Sequence, residues 1–266
     1  SPPQASKAGY TLMRLLIDAR ESGTTSGRYV DKLIEYLQKI DHHNKYHLLL
    51  KKHRMDTYHN LASNFQAVEC NIKEFTFAEQ TKLAWILYRI KPDLVHFPMV
   101  QQPLLYIGKT VTTMQDLTTL RFSNPSKNPL VFWIKQRIYW IVNYIAPRKS
   151  QHVIAISEYT KKDVAQTMYY NRPNTFTVIL ESADELPAPG EPVKDLAGKK
   201  FIMYVGRHQP HKNLPRLIEA HQQLLVKNPD LLLAIVGKED ATTTILRSKI
   251  QDPRSIVFTG FVTDTQ

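Results

Sequence analysis

The loop around Arg207 and Lys212 carries the residues whose chemistry is easiest to infer from the sequence. An apolar run, Phe201–Val205, predicts a strand that ends at Gly206, and both cations follow it before a helical pattern begins at Leu214. A turn from a strand into a helix directs backbone N–H groups and the positive end of the helix dipole at the space in front of it. The two side chains add full positive charges, so this loop predicts a diphosphate site.

A metal-bridged diphosphate is not expected. The sequence contains no Asp-x-Asp pair, which would be the usual carboxylate platform for holding a divalent ion against a diphosphate. Arg207 and Lys212 are predicted to replace it, so we expect neither a metal nor another cofactor. The alternative interpretation is a basic loop at the mouth of an ordinary doubly wound sheet, and the spacing of the two cations alone favours that alternative.

The elements that position this loop follow from the hydrophobic pattern. Short apolar runs alternate with helical periodicity, which predicts parallel β-α-β units and a Rossmann-like sheet over residues 10–186. A proline- and glycine-rich linker at 187–198 precedes a second domain at 199–266, where Asn213 is predicted to cap the helix Leu214–Val226. The predicted strands are Leu12–Ile17, Tyr46–Leu50, Asp93–Phe97, Val111–Met114, His152–Ile156, Phe176–Leu180, Phe201–Val205, Leu231–Val236 and Ile256–Phe258.

Composition and charge limit the class of protein. The chain has 266 residues, 42% of them hydrophobic, and a net charge of +11, which suits phosphate-rich partners. Its single cysteine, Cys70, excludes an intramolecular disulfide. Because no apolar run approaches the roughly 20 residues of a membrane span and the N-terminal segment is polar, we expect a cytoplasmic protein. A nucleic-acid partner is not expected, since the cations are scattered and no binding signature is present.

The wider sequence around the cationic loop closely resembles glycosyltransferase family 4. The resemblance rests on Val205-Gly-Arg, then Lys-Asn213, and on Leu217-Ile-Glu-Ala220 in the helix that follows. It implies a retaining enzyme with the α/β GT-B fold, in which two Rossmann-like domains face each other across a cleft and the second is truncated here. It also implies that Arg207 and Lys212, with Gly206, bind the diphosphate of a nucleotide-sugar donor, where fixed cations stabilise the charge of the leaving group.

The N-terminal half resembles the same family over most of its length. The segments Ile17-Asp-Ala-Arg20 and Ser26-Gly-Arg-Tyr-Val30 look like its first strand and the glycine-containing loop behind it. Because glycine has no Cβ, Gly23 and Gly27 are predicted to bring the backbone close to the donor diphosphate or to an acceptor. The alternative, weighed equally, is that they form an ordinary turn.

Gln115 and Asp116 are the predicted catalytic residues. Met114-Gln-Asp-Leu117 matches a stretch where the family usually has His-Asp-Leu, so Gln115 replaces a histidine that lies beside the donor sugar in relatives. Glutamine can donate a hydrogen bond to a sugar hydroxyl but cannot carry a proton. Asp116, at the carboxyl end of a predicted strand, is expected to orient or deprotonate the acceptor hydroxyl, or else to cap a turn.

Three further segments have more local interpretations. In Val153-Ile-Ala-Ile-Ser157, which also matches the family, Ser157 is predicted to cap the next helix, and His96 is interpreted as structural. Residues 129–145 combine Trp133, Trp140 and bulky aliphatic residues with flanking cations. Packing on the sheet is the preferred interpretation of that helix, and an anionic membrane surface is the alternative partner, which would place the protein peripherally on the inner face of a membrane.

The expected function is the transfer of a hexose from a nucleotide sugar to a polysaccharide or lipid-linked acceptor, with retention at the anomeric carbon. The sequence given ends before the Glu-(x)7-Glu motif that contacts the donor in relatives, so this chain alone is expected to bind the donor weakly and to turn over little. The alternative is a non-catalytic or split half-enzyme that needs a partner chain to complete the donor site.

Overall fold

The computed structural model describes residues 11–122, 129–183, 188, 190–248, 250, 252–263 and 265. The chain divides into two compact units, one ending at Ser182 and the other beginning at Ala183. The predicted limits of 10–186, 187–198 and 199–266 stay predictions, because residues 10, 184–187, 189 and 266 lie outside the described residues. In the described part of the chain, no helix is both long and apolar enough to cross a membrane.

The first unit is built on a parallel seven-stranded sheet, which confirms the predicted α/β class. Each strand predicted for this unit is present within a few residues of its expected bounds, and the sheet order is β3-β2-β1-β4-β5-β6-β7. Only β3, an edge strand with a half-exposed side-chain pattern, was not predicted. The strands are β1 Arg14–Asp18, β2 Lys45–Leu50, β3 Phe65–Glu69, β4 Leu94–Phe97, β5 Thr110–Met114, β6 His152–Ala155 and β7 Phe176–Val178.

Helices cover both faces of this sheet. Val30 and Ile34 of the first helix pack with Leu48 on one face, whereas Leu87 of the second packs with Leu49 on the other. Successive residues of a strand point to opposite faces of the sheet. Because a helix covers each face, β2 has apolar side chains on both faces. The helices are α1 Arg28–Ile40, α2 Ala84–Ile90, α3 Thr118–Arg121, α4 Pro129–Lys149 and α5 Glu158–Thr167. A π-helical turn, Glu79–Leu83, leads into α2.

The strand order places a topological switch point beside β1. The chain runs from β1 outward through β2 and β3, and then returns to lay β4 on the other side of β1. In open parallel sheets, ligands collect in the crevice outside the carboxyl ends of the strands at such a point. The segments that follow β1, β4 and β5 are therefore the parts of the first unit that are positioned to form a site.

The second unit contains a parallel three-stranded sheet of order β10-β9-β8. Its core lies on one face, where the buried side chains are Leu214, Ile218, Leu233, Ile235, Leu246 and Ile256. On the other face, the β8 side chains of Met203 and Val205 are 62% and 65% exposed. The elements are β8 Phe201–Val205, α6 Leu214–Leu225, β9 Leu232–Val236, α7 Ala241–Arg247 and β10 Ile256–Gly260.

One predicted helix cap is present and one is wrong. The Ser157 Oγ accepts a hydrogen bond from the Thr160 N–H at 3.0 Å, which confirms the cap of α5. Asn213 stands at the start of α6 but makes no side-chain cap, and its backbone is left-handed with φ of 52°. The physical reason is local: Pro215 has no N–H to offer, and the Arg216 N–H already donates to the Asn213 carbonyl.

Candidate functional site

The loop with the two cations leaves the carboxyl end of β8. Gly206 begins it with φ of +150°, a backbone conformation that favours glycine, and its N–H donates to the Val236 carbonyl at 3.0 Å. The Tyr204 hydroxyl donates to the Arg207 carbonyl at 2.8 Å and so fixes the next residue. A short 3₁₀ turn, Pro210–Lys212, then leads into α6. The N–H of Gly206 is thus used within the sheet. Its predicted role at a ligand would therefore be to leave room close to the backbone, because glycine has no Cβ.

Arg207 and Lys212 present their charges to solvent. Both residues are exposed, and neither side chain has a hydrogen-bond or ion-pair partner among the described residues. Most other arginines of the chain with exposed side chains lack this freedom: Arg216 and Arg247, for example, lie near Glu219 and Glu239. Two unpaired cations on one short loop are available to an anionic ligand, which is the chemistry predicted for them.

His208, between these cations, is a residue that the sequence analysis missed. Its side chain is buried, and its Nδ1 lies 2.7 Å from the Oγ1 of Thr243 at the start of α7. Its Nε2 is also buried and has no hydrogen-bond partner within the described part of the structure. The imidazole therefore joins the cationic loop to the first turn of α7, the helix reached by the loop that follows β9.

Glycines explain why these two loops can touch. A Cβ built on Gly237 would lie 2.1 Å from the Gly206 carbonyl oxygen and 3.3 Å from the His208 Nε2. Val205 and Val236 are paired in register at the ends of β8 and β9, so each strand ends in a Val-Gly dipeptide at the same edge of the sheet. That repeated dipeptide is the sequence signal that would have placed the two loops together.

In the first unit, Gly23 and Gly27 follow β1 as predicted, and each has a local reason to be glycine. Gly23 has φ of +76° and donates its N–H to the Asp31 Oδ2 at 2.9 Å. A Cβ on Gly27 would lie 1.8 Å from the Glu21 carbonyl oxygen, and its N–H donates to the Thr24 Oγ1 at 2.9 Å. Both N–H groups are engaged within the loop, so contact with a diphosphate stays a prediction.

A pocket lies at the switch point. Residues that follow β1 and residues that follow β4 line it together with Glu74, and Gly27 forms part of its wall. Most of its polar lining is acidic or hydroxylic, and its volume of about 10 Å³ has room for a single water. The lining residues are Asp18, Arg20, Glu21, Ser26, Gly27, Val30, Glu74, Pro98, Met99 and Gln101.

The floor of this pocket is a buried ion network. Arg20 donates to Asp18 through Nε at 2.8 Å and Nη2 at 2.7 Å, and its Nη2 also lies 2.7 Å from the Glu79 Oε1. Burial opposes the charge of the Arg20 guanidinium, but Asp18 and Glu79 outweigh it and raise its pKa. The bidentate contact with Asp18 fixes the orientation of the guanidinium, and the contact with Glu79 joins the end of β1 to the π-helical turn.

Two carboxyl groups beside this network have different pKa directions. Burial, together with the neighbouring Glu74, raises the pKa of Glu21. Burial acts on Glu74 as well, but the hydrogen bond from Lys51, whose Nζ lies 2.8 Å from its Oε1, lowers its pKa. Glu74 is therefore the more acidic member of the pair.

Gln115 and Asp116 lie at the carboxyl end of β5, as predicted. The Gln115 Nε2 donates to the Pro98 carbonyl at 3.1 Å, which joins this segment to the one after β4. Asp116 is exposed, and its Oδ1 accepts a hydrogen bond from the Thr118 N–H at 2.8 Å. This is the turn-capping arrangement left open above, and it leaves the second carboxylate oxygen unbonded among the described residues. The catalytic roles of both residues stay predictions.

His96 is structural, as interpreted. Its Nε2 lies 2.9 Å from the Thr113 Oγ1, and burial lowers its pKa to about 4. Across the described ranges of the chain, no group of three His, Cys, Asp or Glu side chains is arranged to hold a metal ion.

Comparisons with known proteins extend this description. Residues 192–266 match the family Glycosyl transferases group 1. The O-antigen chain mannosyltransferase B of Escherichia coli is 24% identical over 206 residues, which cover 73% of this chain and 52% of that protein. The chain thus spans about half the length of this curated relative.

Solved structures show the same fold. The Anabaena protein HepE, crystallised with UDP and glucose, has a TM-score of 0.61 at 16% identity, over 96% of this chain and 70% of that one. WaaG, a glycosyltransferase involved in lipopolysaccharide biosynthesis, has a TM-score of 0.60 at 14% identity, over 95% and 71%. At this identity the likeness establishes the fold, which is that of the GT-B glycosyltransferases, and the activity must be argued from the site.

Proposed function

We propose that the chain is part of a glycosyltransferase that moves a hexose from a nucleotide sugar to a polysaccharide or lipid-linked acceptor, with retention at the anomeric carbon. The family match over residues 192–266 includes the whole cationic loop. The E. coli relative carries the name of an O-antigen mannosyltransferase, which favours a glycan acceptor for this chain as well. The resemblance to family 4 is what favours retention.

One observation carries the proposal. Arg207 and Lys212 stand exposed on the loop that leaves β8, and neither has a side-chain partner in the part of the chain that the structure describes. When the anomeric bond breaks, negative charge develops on the departing diphosphate, and cations already in place stabilise that charge without reorganising. In this role Arg207 offers a planar fork to two phosphate oxygens, and Lys212 a point charge.

The acceptor is assigned to the first unit. At the carboxyl end of β5, Asp116 has one carboxylate oxygen with no hydrogen bond among the described residues, which leaves it available to an acceptor hydroxyl. We assign Asp116 to the acceptor hydroxyl and Gln115 to positioning, because its amide already holds the segments after β4 and β5 together.

Calorimetry with UDP and GDP tests the donor assignment. Loss of one charge-assisted contact is worth about 1.5–3 kcal/mol, so Arg207→Ala and Lys212→Ala should each weaken binding roughly 10- to 100-fold. Lys227→Ala is the matched control, because Lys227 is an exposed lysine of the same unit at the far end of α6. Equal affinity of all four proteins would contradict the proposal. Retention is checked separately, by the anomeric NMR signal of the product.

A second candidate function follows from β8. The exposed Met203 and Val205 lie beside buried Ala234 and Val236 of β9, so an apolar face stops at a strand whose outer edge pairs with no described strand. Unpaired apolar edges are sites where a further strand adds. We propose that additional polypeptide, either a continuation of this chain or a partner chain, pairs with β8 and completes the donor site, which makes the present chain a half-enzyme.

Hydrogen exchange tests this candidate. In the chain alone, the β8 amides that face away from β9 should exchange quickly, and co-expression with a candidate partner polypeptide should protect them and strengthen nucleotide binding. Protection of those amides without any added polypeptide would contradict it.

A further inference from the structure

Helix α4 has an unusual division of side chains. Its inner side contributes Val142 and Ala146 to the core of the first unit, beside Val153 and Val164. The same inner side also buries the polar Asn143. Six large apolar residues of the helix are instead exposed, namely Trp133, Ile134, Ile138, Trp140, Ile141 and Ile145. The preferred interpretation of this helix as core packing therefore holds for its inner side and is wrong for these six side chains.

These six residues form one continuous surface, which we call the α4 face. Ile134, Ile138, Ile141 and Ile145 are spaced by three or four residues and lie along a single stripe of the helix. Trp133 and Trp140 lie seven residues apart on the adjacent stripe. Scattered exposed apolar residues need no explanation, but a contiguous apolar face on one helix marks an interaction surface.

The charge of this helix has one sign. Residues 129–149 contain no aspartate or glutamate, and the cations Lys135 and Arg137 lie among the apolar residues. The Arg137 guanidinium lies 5.2 Å from the centre of the Trp133 ring, and that of Arg148 lies 3.6 Å from the centre of the Tyr144 ring. Aromatic rings with cations held over them match the boundary between acyl chains and headgroups.

We propose that the α4 face docks on a membrane surface that carries anionic lipids. Isoleucines would enter the boundary between headgroups and acyl chains, tryptophans would lie at the level of the headgroups, and Lys135 and Arg137 would meet the lipid phosphates. The commitment to lipid over a protein partner rests on charge: a helix with no carboxylate and several cations complements a uniformly negative surface.

The α4 face adjoins the segment that contains Asp116. The Gln136 Nε2 donates to the Thr119 carbonyl at 2.6 Å, and Thr119 belongs to α3, which follows Asp116 directly. Burial raises the pKa of Tyr139, and the nearby charge of Asp116 raises it further. Together with the proposed function, this placement favours a lipid-linked acceptor over a free polysaccharide, because a docked α4 would bring Asp116 near the lipid surface.

Vesicle co-sedimentation tests the proposal with the chain as it stands. Vesicles of phosphatidylcholine with 30% phosphatidylglycerol should bind it at least tenfold more tightly than phosphatidylcholine alone. Ile138→Ser with Trp133→Ser should weaken binding to both kinds of vesicle by removing apolar contact, and Arg137→Gln should weaken binding to the anionic vesicles about fivefold. Circular dichroism melts confirm that each variant is folded.

The matched control is on another helix. Trp85 of α2 is 58% exposed, close to the 56% of Trp133, and Arg89 lies 4.9 Å from its ring centre. Trp85→Ser and Arg89→Gln should leave vesicle binding unchanged. The proposal is overturned if the wild type ignores anionic lipid, if the α2 variants lose as much binding as the α4 variants, or if Ile138→Ser converts a dimer into a monomer. Nucleotide binding, measured on the same variants, should not change, so the membrane proposal can fail while the donor assignment stands.

Discussion

The Nδ1 of His208 lies 2.7 Å from the Oγ1 of Thr243, and this contact joins the loop of the two cations to the first turn of α7. Thr243 also accepts the Asp240 N–H at 3.0 Å, while Asp240 caps the same helix. His208 follows Arg207 directly in the chain, so this buried contact anchors the backbone next to Arg207. Loss of the contact between His208 and Thr243 should therefore weaken nucleotide binding.

Substitution of His208 should weaken binding in a graded way. His208→Ala removes a buried hydrogen bond worth about 1 kcal/mol and leaves the cationic loop less ordered, so affinity for UDP should fall about fivefold. In His208→Asn, the amide occupies the place of Nδ1, and affinity should recover to within about twofold. Calorimetry measures both.

His221 supplies the control for that comparison. It is a buried histidine of the same unit, on α6, whose Nε2 lies 2.9 Å from the Leu231 carbonyl. His221→Ala should lower stability but not nucleotide affinity. If His221→Ala and His208→Ala weaken binding equally, the effect is a general loosening of the unit and the positioning role is wrong.

Breaking the buried ion network should be costly. Arg20→Met leaves the Asp18 and Glu79 carboxylates buried without their cation, and such changes typically cost about 3–5 kcal/mol. Lys39→Met, at an exposed pair with Glu35, should cost less than about 1 kcal/mol. Urea unfolding measures the free energy of unfolding of both variants. Similar losses of stability would show that the buried network stabilises the first unit no more than an exposed ion pair does.

Stability of the first unit should depend on pH through His96. Burial lowers the pKa of His96 to about 4, whereas an unfolded histidine titrates near 6.5. Between these values the unfolded chain binds more protons, so stability is complete above about pH 6.5 and is lost as the pH falls towards 4. The side chain keeps some exposed surface, so we expect the loss to be roughly 1–3 kcal/mol.

His96→Gln should remove this dependence, because a glutamine amide can bond to Thr113 without titrating. His59→Gln, at an exposed histidine, is the control and should leave the pH profile as it was. Unfolding curves at pH 5 and pH 7 decide the matter: a wild-type protein equally stable at both would contradict the assignment.

Gly27→Ala should destabilise the loop after β1. The added Cβ would lie 1.8 Å from the Glu21 carbonyl oxygen, so the backbone must move, and we expect a loss of more than about 2 kcal/mol. Gly198→Ala meets nothing within 4 Å and should cost only the strain of its positive φ, about 1 kcal/mol. Thermal unfolding compares them, and a harmless Gly27→Ala would show that the loop is loose enough to admit a ligand.

The sequence was sufficient for most of the sheet because apolar runs such as Leu48–Leu50 leave few alternatives to a buried parallel strand. It was insufficient for β3, since Gln66 and Glu69 point outward and dilute the pattern of an edge strand. It also could not orient α4. A helix that is apolar on nearly all sides carries no periodic signal of which face is buried, so only packing decides.

The candidate site likewise has residues that the sequence could predict and residues that it could not. Arg207 and Lys212 were predicted because charges beside a strand-ending glycine are a local pattern. His208 was missed because its role depends on Thr243, which is distant in sequence and is brought near only by the pairing of β8 with β9. The Asn213 cap failed because Pro215 offers no N–H and the Arg216 N–H bonds to the carbonyl of Asn213, whose backbone is left-handed.

An NMR titration of the labelled chain with inorganic pyrophosphate tests the central claim most directly. We expect saturable shifts of the amides in the loop from Gly206 to Lys212 and of the Arg207 Nε, and we expect these shifts to vanish in the Arg207→Ala, Lys212→Ala double variant. Shifts confined to other basic surfaces, or shifts at this loop that persist in the double variant, would contradict the assignment of these two cations to a diphosphate.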